Sequence, residues 1–205
     1  MQTFNAVKLA QYLLLPKVNE AQCMIDATAG TGRDTLFLAE NSPNDSIVWA
    51  FDIQELAILK TQDLLNHHKV APDKVKLVTD SHVSVASYVN NSPIDVAMFN
   101  LGYLPNAEHI ITTHYQSTIE ALQQILALLC TGGLISVVTY PGHQEGYLEQ
   151  QAVNELFKTL PSKLFTVGSW TMMNHSNQPP ILYVVEKTRS EACESFASRQ
   201  NKSNN

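Results

Sequence analysis

The stretch 23–40 restricts the fold of this chain more than any other. It combines a short apolar run ending in Asp26, a glycine turn at 29–32 (Ala-Gly-Thr-Gly) and a helix-forming run over 35–40. This order predicts a strand, a tight turn and a helix. Glycine lets a ligand approach the bare main chain, and the first N–H groups of the helix attract an anionic group. We therefore predict a nucleotide-type cofactor site at this turn.

The details of the turn favour one cofactor over others. A dinucleotide-binding turn has a third glycine where this chain has Thr35, which argues against NAD. No lysine follows Gly32 before Lys60, so the phosphate-binding motif of many ATPases is missing. An acid before a two-glycine turn suits S-adenosylmethionine, whose sulfonium and ammonium are cationic and whose carboxylate needs main-chain donors. The alternative is an ordinary strand-to-helix turn without a ligand.

A second acidic residue supports the cofactor interpretation. The apolar run 46–51 predicts a strand, and Asp52 follows it twenty residues after Gly32. An acid at this place in a βαβ unit can accept both ribose hydroxyls, and Gln54 can reach the same edge. The alternative is that Asp52 caps a helix beginning near Gln54.

Polar residues also follow the third and fourth predicted strands, over 75–79 and 93–99. Ligands of a doubly wound sheet lie beyond the carboxyl ends of its strands, so Asp80 can accept a hydrogen bond from the adenine amine. Capping of a short helix over 83–89 is the alternative for Asp80. After the fourth strand, Asn100 can hold an acceptor N–H group and Tyr103 can support a flat base. A plain turn is the alternative there.

The remaining pattern alternates helices and strands. Helices are predicted over 4–15, 55–68, 115–130 and 149–159, and strands over 134–139, 164–170 and 181–186. We expect Pro16 to end the first helix, and Gly132 and Gly133 to stop the helix 115–130. In the helix 55–68, the residues expected to face the core are Leu56, Leu59, Leu64 and Leu65. We expect the loop 140–146 to close over the substrate, with His143 as a candidate proton acceptor. The alternation predicts an open, mostly parallel α/β sheet with helices on both faces.

Composition limits the class of protein. With 205 residues, 44% of them hydrophobic, the chain can form one core, and we expect a domain over 1–187 and a disordered tail over 188–205. No run is apolar enough for a membrane span, and no signal peptide is recognisable, so a cytoplasmic protein is expected. Three scattered cysteines predict neither a disulfide nor a metal site. The net charge of −6, without Lys or Arg between Lys76 and Lys158, gives no basic face for nucleic acid.

Several motifs together resemble one bacterial family. They are Asp-Ala-Thr-Ala-Gly-Thr-Gly-Arg-Asp-Thr from Asp26, Phe-Asp-Ile-Gln from Phe51, Asp-Ser-His from Asp80, Met-Phe-Asn-Leu-Gly-Tyr-Leu-Pro from Met98, Ile-Thr-Thr from Ile111 and Gly-His-Gln-Glu-Gly from Gly142. The chain is similar in these motifs to class I methyltransferases that were long labelled rRNA methylases and are now associated with the tRNA modification 5-methylaminomethyl-2-thiouridine. Thr31 and Arg33 depart from the Asn and His that are common in that family.

The resemblance implies a Rossmann-like seven-stranded sheet with the last strand antiparallel, and S-adenosyl-L-methionine as methyl donor. It also implies tRNA as partner, with the amine of 5-aminomethyl-2-thiouridine in the anticodon loop as acceptor. The expected catalytic residues are Asn100 and Tyr103. The expected cofactor contacts are Asp26, Ala27, Gly30, Thr31, Gly32, Asp34, Thr35, Asp52, Ile53, Gln54, Asp80, Ser81, His82, Asn100 and Leu101.

Other functions stay open at this point. Methylation of rRNA or of a small amine would use the same cofactor crevice. A binding module without catalysis and a nicotinamide oxidoreductase are alternatives of other classes. A homodimer is compatible with the sequence, which does not fix the oligomeric state.

Overall fold

A computed structural model of the chain describes residues 5–102, 115–175 and 178–189. The helices are α1 (Ala6–Val18), α2 (Arg33–Asn41), α3 (Glu55–His67), α4 (Val85–Tyr88), α5 (Tyr115–Leu128) and α6 (Gln144–Thr159). The strands are β1 (Cys23–Asp26), β2 (Ile47–Asp52), β3 (Val75–Thr79), β4 (Ile94–Asn100), β5 (Leu129–Thr139), β6 (Phe165–Thr171) and β7 (Ile181–Lys187). Among these described residues, no helix is both long and apolar enough to cross a membrane.

The seven strands form one sheet in the order β3-β2-β1-β4-β5-β7-β6. Strands β1 to β5 are parallel to one another, whereas β7 runs antiparallel to both β5 and β6. This arrangement confirms the predicted Rossmann-like sheet with an antiparallel last strand. The chain order reverses between β1 and β4, and ligands of such sheets bind at the carboxyl ends of the strands beside this reversal.

Two apolar cores cover the two faces of the sheet. Met24 and Val48 belong to the core that includes residues of α1, α2 and α3. Ile25 and Phe51 belong to the core that includes residues of α4, α5 and α6. Neighbouring residues of a strand point to opposite faces, so strands covered on both sides are almost continuously apolar. This is why these strands could be predicted from apolar runs.

Helix α1 differs from the prediction because Pro16 does not end it. The helix begins after Asn5, whose side chain accepts a hydrogen bond from the Lys8 N–H, and it continues through Pro16 to Val18. Val18 is fully buried in the core. Burial of this side chain outweighs the local cost of a proline, because tertiary packing can override helix propensity.

The buried side of α3 was also predicted wrongly in part. Leu56 and Leu59 are 57% and 55% exposed, and Ala57, Thr61 and Leu65 form the buried face instead. These three residues recur at a spacing of four, which places them on one side of a helix. Small residues at this face allow α3 to approach the glycine turn closely, as shown below for Thr61.

Two further boundaries differ from the prediction. Strand β5 begins at Leu129, so Gly132 and Gly133 lie inside it, where the register with β4 shifts between the Ile94 and Val96 pairings. Gly132 adopts a φ of 77°, a conformation that favours glycine at such an irregularity. Helix α6 begins at Gln144 and not near residue 149, so the last three residues of the predicted loop 140–146 are helical. Of the predicted tail 188–205, all but Thr188 and Arg189 lies outside the described residues.

Candidate active site

The five parallel strands all end near the residues that were predicted to bind ligands. Asp26, Asp52 and Asn100 are the last residues of β1, β2 and β4. Asp80 follows β3, and Tyr140 follows β5. Because these strands are parallel neighbours, their carboxyl ends meet along one edge of the sheet. The predicted residues of four separate motifs are therefore brought to the same crevice.

A hydrogen bond to Asp52, the last residue of β2, fixes the glycine turn. Gly30 and Gly32 have φ angles of 55° and 82°. The Gly30 N–H donates to Oδ2 of Asp52 at 2.9 Å, and the Gln54 N–H donates to Oδ1 of Asp52 at 2.9 Å. One carboxylate thus joins the turn to the start of α3. The capping alternative for Asp52 does not hold, because Gln54 is the N-cap residue of α3 and no side chain caps this helix.

Gly32 cannot be replaced without moving α3. A Cβ atom at Gly32 would lie 2.9 Å from the Cα of Thr61 and 3.0 Å from its side chain. Gly32 is also the N-cap residue of α2 and has no side chain with which to cap the helix. The first N–H groups of a helix have no partner within the helix, so this end can receive an anion.

Asp26 is buried beneath the turn and is held by two donors. Its carboxylate accepts from the Thr28 N–H at 3.1 Å and from the Thr35 hydroxyl at 2.5 Å. Its side chain is buried, and burial together with the nearby charge of Asp34 raises the pKa of Asp26 from 3.8 to about 7. The two predicted contacts Asp26 and Thr35 therefore form a buried support of the turn.

Replacing Asp26 with asparagine is expected to stabilise the protein at pH 8 and to have little effect at pH 4. Because folding raises the pKa of Asp26, the stability that its protonated form contributes is complete below pH 3.8 and is lost as the pH rises through about 7. An amide carries no charge to bury, so we expect a gain of about 4 kcal/mol in the free energy of unfolding at pH 8. Urea unfolding at both pH values measures the gain, with the exposed Asp63→Asn as control. An equal difference at the two pH values would contradict this explanation.

A second group of side chains surrounds Asn100. The Tyr140 hydroxyl donates to Oδ1 of Asn100 at 2.8 Å. Burial raises the pKa of Asp34, and hydrogen bonds from the Gln11 and Asn100 side chains oppose that rise. The Gln11 side chain donates to Oδ1 of Asp34 at 2.7 Å. The main-chain N–H of Asn100 donates to Oγ1 of Thr28 at 2.8 Å. These contacts fix both the backbone and the amide of Asn100.

The three residues after β3, Asp80, Ser81 and His82, have different hydrogen-bond partners and different exposure. Ser81 caps the following turn by accepting from the Val83 N–H, whereas Asp80 accepts from the Ser81 N–H at 2.7 Å and from the Tyr88 hydroxyl at 3.2 Å. These bonds, led by the one from Ser81, lower the pKa of Asp80. His82 is buried with Nδ1 3.0 Å from the Ala27 carbonyl oxygen, and burial lowers its pKa. Of the two titratable side chains of this motif, Asp80 is therefore the accessible one, whereas His82 is buried.

The other predicted contacts take various positions around the crevice. Thr31 and Ile53 are exposed, Gln54 is half-buried at the start of α3, and Leu101 is buried with its N–H donated to the Val138 carbonyl oxygen. Tyr103 lies outside the described residues. Its predicted role stays a prediction.

His143 does not fit the predicted role of proton acceptor at Nδ1. It is the N-cap residue of α6, and its Nδ1 accepts the Gly146 N–H at 3.0 Å. A cap that accepts through Nδ1 keeps that atom unprotonated and occupied. Within the part of the chain that the structure describes, no cluster of three or more His, Cys, Asp or Glu side chains can hold a metal ion.

Three residues of the site were missed by the sequence analysis. Gln11 and Tyr140 lie far from Asp34 and Asn100 in the sequence, and Thr28 lies within the motif without an assigned role. The available signal for Tyr140 was its place directly after the fifth strand. That signal becomes useful only when β5 is known to lie beside β4.

Comparison with known proteins decides the family. A family model described as "Putative rRNA methylase" matches residues 48–186. The chain belongs to this methyltransferase family. A chloroplastic tRNA (mnm(5)s(2)U34)-methyltransferase of Arabidopsis thaliana is 32% identical over 191 residues, which are 89% of this chain and 70% of that protein.

Solved structures agree with this assignment. A "putative rRNA-methylase" from Clostridium thermocellum is 37% identical, with a TM-score of 0.86 over 91% of this chain and 100% of its own. A "putative methyltransferase" from Streptococcus mutans in complex with SAH is 35% identical, with a TM-score of 0.81 over 91% and 99% of the two chains. The enzyme is therefore an S-adenosylmethionine-dependent methyltransferase, as the glycine turn predicted.

The crevice of this methyltransferase fits the chemistry of that cofactor. A Cβ atom at Gly30 would have only the Thr28 carbonyl oxygen, 3.7 Å away, within contact distance among the described residues, so the main chain can be approached there. The uncapped start of α2 suits a carboxylate, and the Asp52 carboxylate suits a pair of hydroxyl groups. Burial raises the pKa values of Asp26 and Asp34, and a cationic group bound beside these acids would favour their ionised forms.

Proposed function

We propose that this methyltransferase transfers the methyl group of S-adenosylmethionine to the amine of 5-aminomethyl-2-thiouridine at the wobble position of tRNA, giving 5-methylaminomethyl-2-thiouridine. The observation that carries the proposal is the 32% identity, over 89% of the chain, with a protein named for this modification. The acceptor would be a base in the single-stranded anticodon loop. Such bases are recognised by stacking and by hydrogen bonds to their edges, which needs less basic surface than a duplex does.

The proposal assigns the donor site to the ends of β1 and β2. S-adenosylmethionine, when bound, supplies an electrophilic methyl group. The Asp52 carboxylate would accept the ribose hydroxyls while it keeps its bonds to the Gly30 and Gln54 N–H groups. A carboxylate has about four acceptor positions, so it can serve all of these donors. Asp80 would accept from the adenine amine, and the first turn of α2 would bind the methionine carboxylate.

The proposal assigns the acceptor site to Asn100. Its carbonyl oxygen already accepts from the Tyr140 hydroxyl, and a carbonyl oxygen has a second lone pair for an amine N–H. Holding the amine by this bond would point the nitrogen lone pair at the methyl carbon. The main contribution of the protein would then be positioning, which can supply several kcal/mol of the barrier.

The amine must be neutral before it can attack. A primary amine is mostly protonated at neutral pH, and its burial away from water lowers its pKa by disfavouring the charge. We propose that the proton leaves to water, since Nδ1 of His143 is occupied by the Gly146 N–H. Asn100 is well suited to this task because a neutral amide accepts a hydrogen bond without raising the pKa of the amine as a carboxylate would.

Methylation of rRNA is the second candidate, because the family model carries that description. The two reactions share the donor site and differ only in the acceptor. A direct comparison of RNA substrates can therefore separate them.

The test uses purified enzyme and tRNA that carries 5-aminomethyl-2-thiouridine but lacks the final methyl group. With labelled S-adenosylmethionine we expect the label in that nucleoside, identified by mass spectrometry after digestion. Asn100→Ala is the matched variant, and we expect its rate to fall about 100-fold at unchanged cofactor affinity, because only acceptor positioning is lost. Label in rRNA or in small amines, with none in the tRNA nucleoside, would contradict the proposal.

A further inference from the structure

The side-chain amide of Asn100 lies between two polar partners. The Tyr140 hydroxyl donates to its carbonyl oxygen at 2.8 Å. Its nitrogen faces Asp34, where a hydrogen bond from Asn100 opposes the rise in the pKa of Asp34 that burial causes. Tyr140 comes from the end of β5 and Asp34 from the first turn of α2, so the two contacts come from opposite sides of β4 in the sheet order.

Each of the two partners is itself fixed. Asp34 is buried and accepts from the Gln11 side chain at 2.7 Å. The ring of Tyr140 packs so closely on Gly102 that a Cβ atom there would lie 3.2 Å from Cε2 of the tyrosine. Fixed partners impose their geometry on Asn100 instead of following its motion.

The chemistry of the two partners favours one orientation of the amide. Burial raises the pKa of the Asp34 carboxyl, and the hydrogen bonds from the Gln11 and Asn100 side chains oppose that rise. An amide nitrogen only donates hydrogen bonds, so it is matched to the oxygens of Asp34, whereas the amide oxygen is matched to the Tyr140 hydroxyl. Rotating the amide by half a turn would place its oxygen against the oxygens of Asp34, and Asp34 would keep only the hydrogen bond from the Gln11 side chain. Burial raises the pKa of the Tyr140 hydroxyl to about 12, so this group keeps its proton and remains a donor at every physiological pH.

We propose that Tyr140 and Asp34 are positioning residues that fix the Asn100 amide with its carbonyl oxygen turned towards the methyl acceptor. The inference rests on the proposed role of Asn100 in holding the acceptor amine. Without the two partners the amide would rotate freely, and a donor N–H₂ group would often replace the carbonyl oxygen that the amine needs. Asn100 would then still be present, but its amide would not offer the carbonyl oxygen to the acceptor amine.

The first test is independent of catalysis. The Asn100 side-chain N–H₂ signals, assigned by their loss in Asn100→Ala, can be followed by NMR in protein labelled on asparagine. We expect slow hydrogen exchange in the unmodified enzyme and at least tenfold faster exchange in Tyr140→Phe. Fast exchange in the unmodified enzyme, as for an exposed amide, would overturn the proposal without reference to any RNA substrate.

The second test is kinetic and uses a matched tyrosine. Tyr140→Phe keeps the ring against Gly102 and removes only the hydroxyl, whereas Tyr183→Phe removes a buried hydroxyl that accepts from the Gln150 side chain at 2.8 Å. We expect Tyr140→Phe to lower kcat about tenfold with unchanged affinity and KM for S-adenosylmethionine. Tyr183→Phe should leave kcat unchanged. A loss of kcat in both variants would indicate a general structural effect and would overturn the positioning role.

A double variant shows whether Tyr140 acts through Asn100. When two residues act as one unit, the second substitution adds little to the first. We therefore expect Tyr140→Phe to have no further effect on the residual rate of Asn100→Ala. A full tenfold loss in that background would overturn the proposal. If the unmodified enzyme methylates another acceptor than the wobble nucleoside, the proposed function fails, while the NMR result still decides the positioning of Asn100.

Discussion

Replacing Asp52 with alanine is expected to weaken the binding of S-adenosylmethionine by about a thousandfold. The Asp52 carboxylate accepts from the Gly30 N–H and from the Gln54 N–H, each at 2.9 Å, and we propose that it also accepts from the ribose. Hydrogen bonds to a charged group contribute about 1.5–3 kcal/mol each. Losing the ribose contacts and the bond that shapes the glycine turn therefore costs about 4 kcal/mol of binding free energy.

Titration calorimetry with S-adenosylmethionine and with SAH measures this effect. Asp63→Ala, an exposed aspartate in α3, is the matched control and should bind both ligands as the unmodified enzyme does. Asp52→Asn retains one acceptor oxygen, so its affinity for S-adenosylmethionine should lie between the affinities of Asp52→Ala and of the Asp63→Ala control. An Asp52→Ala variant that binds within threefold of the unmodified enzyme would place the ribose elsewhere.

Replacing Gly32 with alanine is expected to lower the free energy of unfolding by about 3 kcal/mol and to abolish cofactor binding. Two causes add at this position. The φ of 82° is unfavourable for alanine, and the new Cβ atom would lie 2.9 Å from the Cα of Thr61. The backbone of α3 must therefore move, and the turn that receives the cofactor moves with it.

Gly132→Ala separates these two causes. Gly132 has a φ of 77°, and a Cβ atom there would have no described atom within 4 Å. This variant should lose only the strain contribution, about 1 kcal/mol, and it should keep cofactor binding. Urea unfolding of both variants provides the comparison. Equal losses in the two variants would mean that the contact between the turn and α3 does not limit substitution at Gly32.

The fold could be predicted largely from the sequence because its strands are buried on both faces. Runs such as 47–51 are apolar at almost every position, and polar residues follow where each strand reaches the ligand edge. Asp26, Asp52 and Asn100 were found in this way. Gly30 and Gly32 were found because a turn with positive φ angles needs glycine.

The errors have physical causes that local patterns do not contain. Pro16 continues α1 because Val18 is buried by tertiary packing, and the exposed Leu56 could not be distinguished from a core residue by its type. Tyr140 and Gln11 reach Asn100 and Asp34 across more than twenty residues of sequence, so only the strand order and the position of α1 bring them together. The residues that orient the site were therefore the hardest to predict.

The decisive measurement is a crystal structure of the enzyme with SAH. We expect the ribose hydroxyls on the Asp52 carboxylate, the amino-acid end at the start of α2 beyond Gly32, and the sulfur atom on the side of the crevice where Asn100 lies. SAH bound with its sulfur turned away from the end of β4, or bound outside the crevice, would contradict the account.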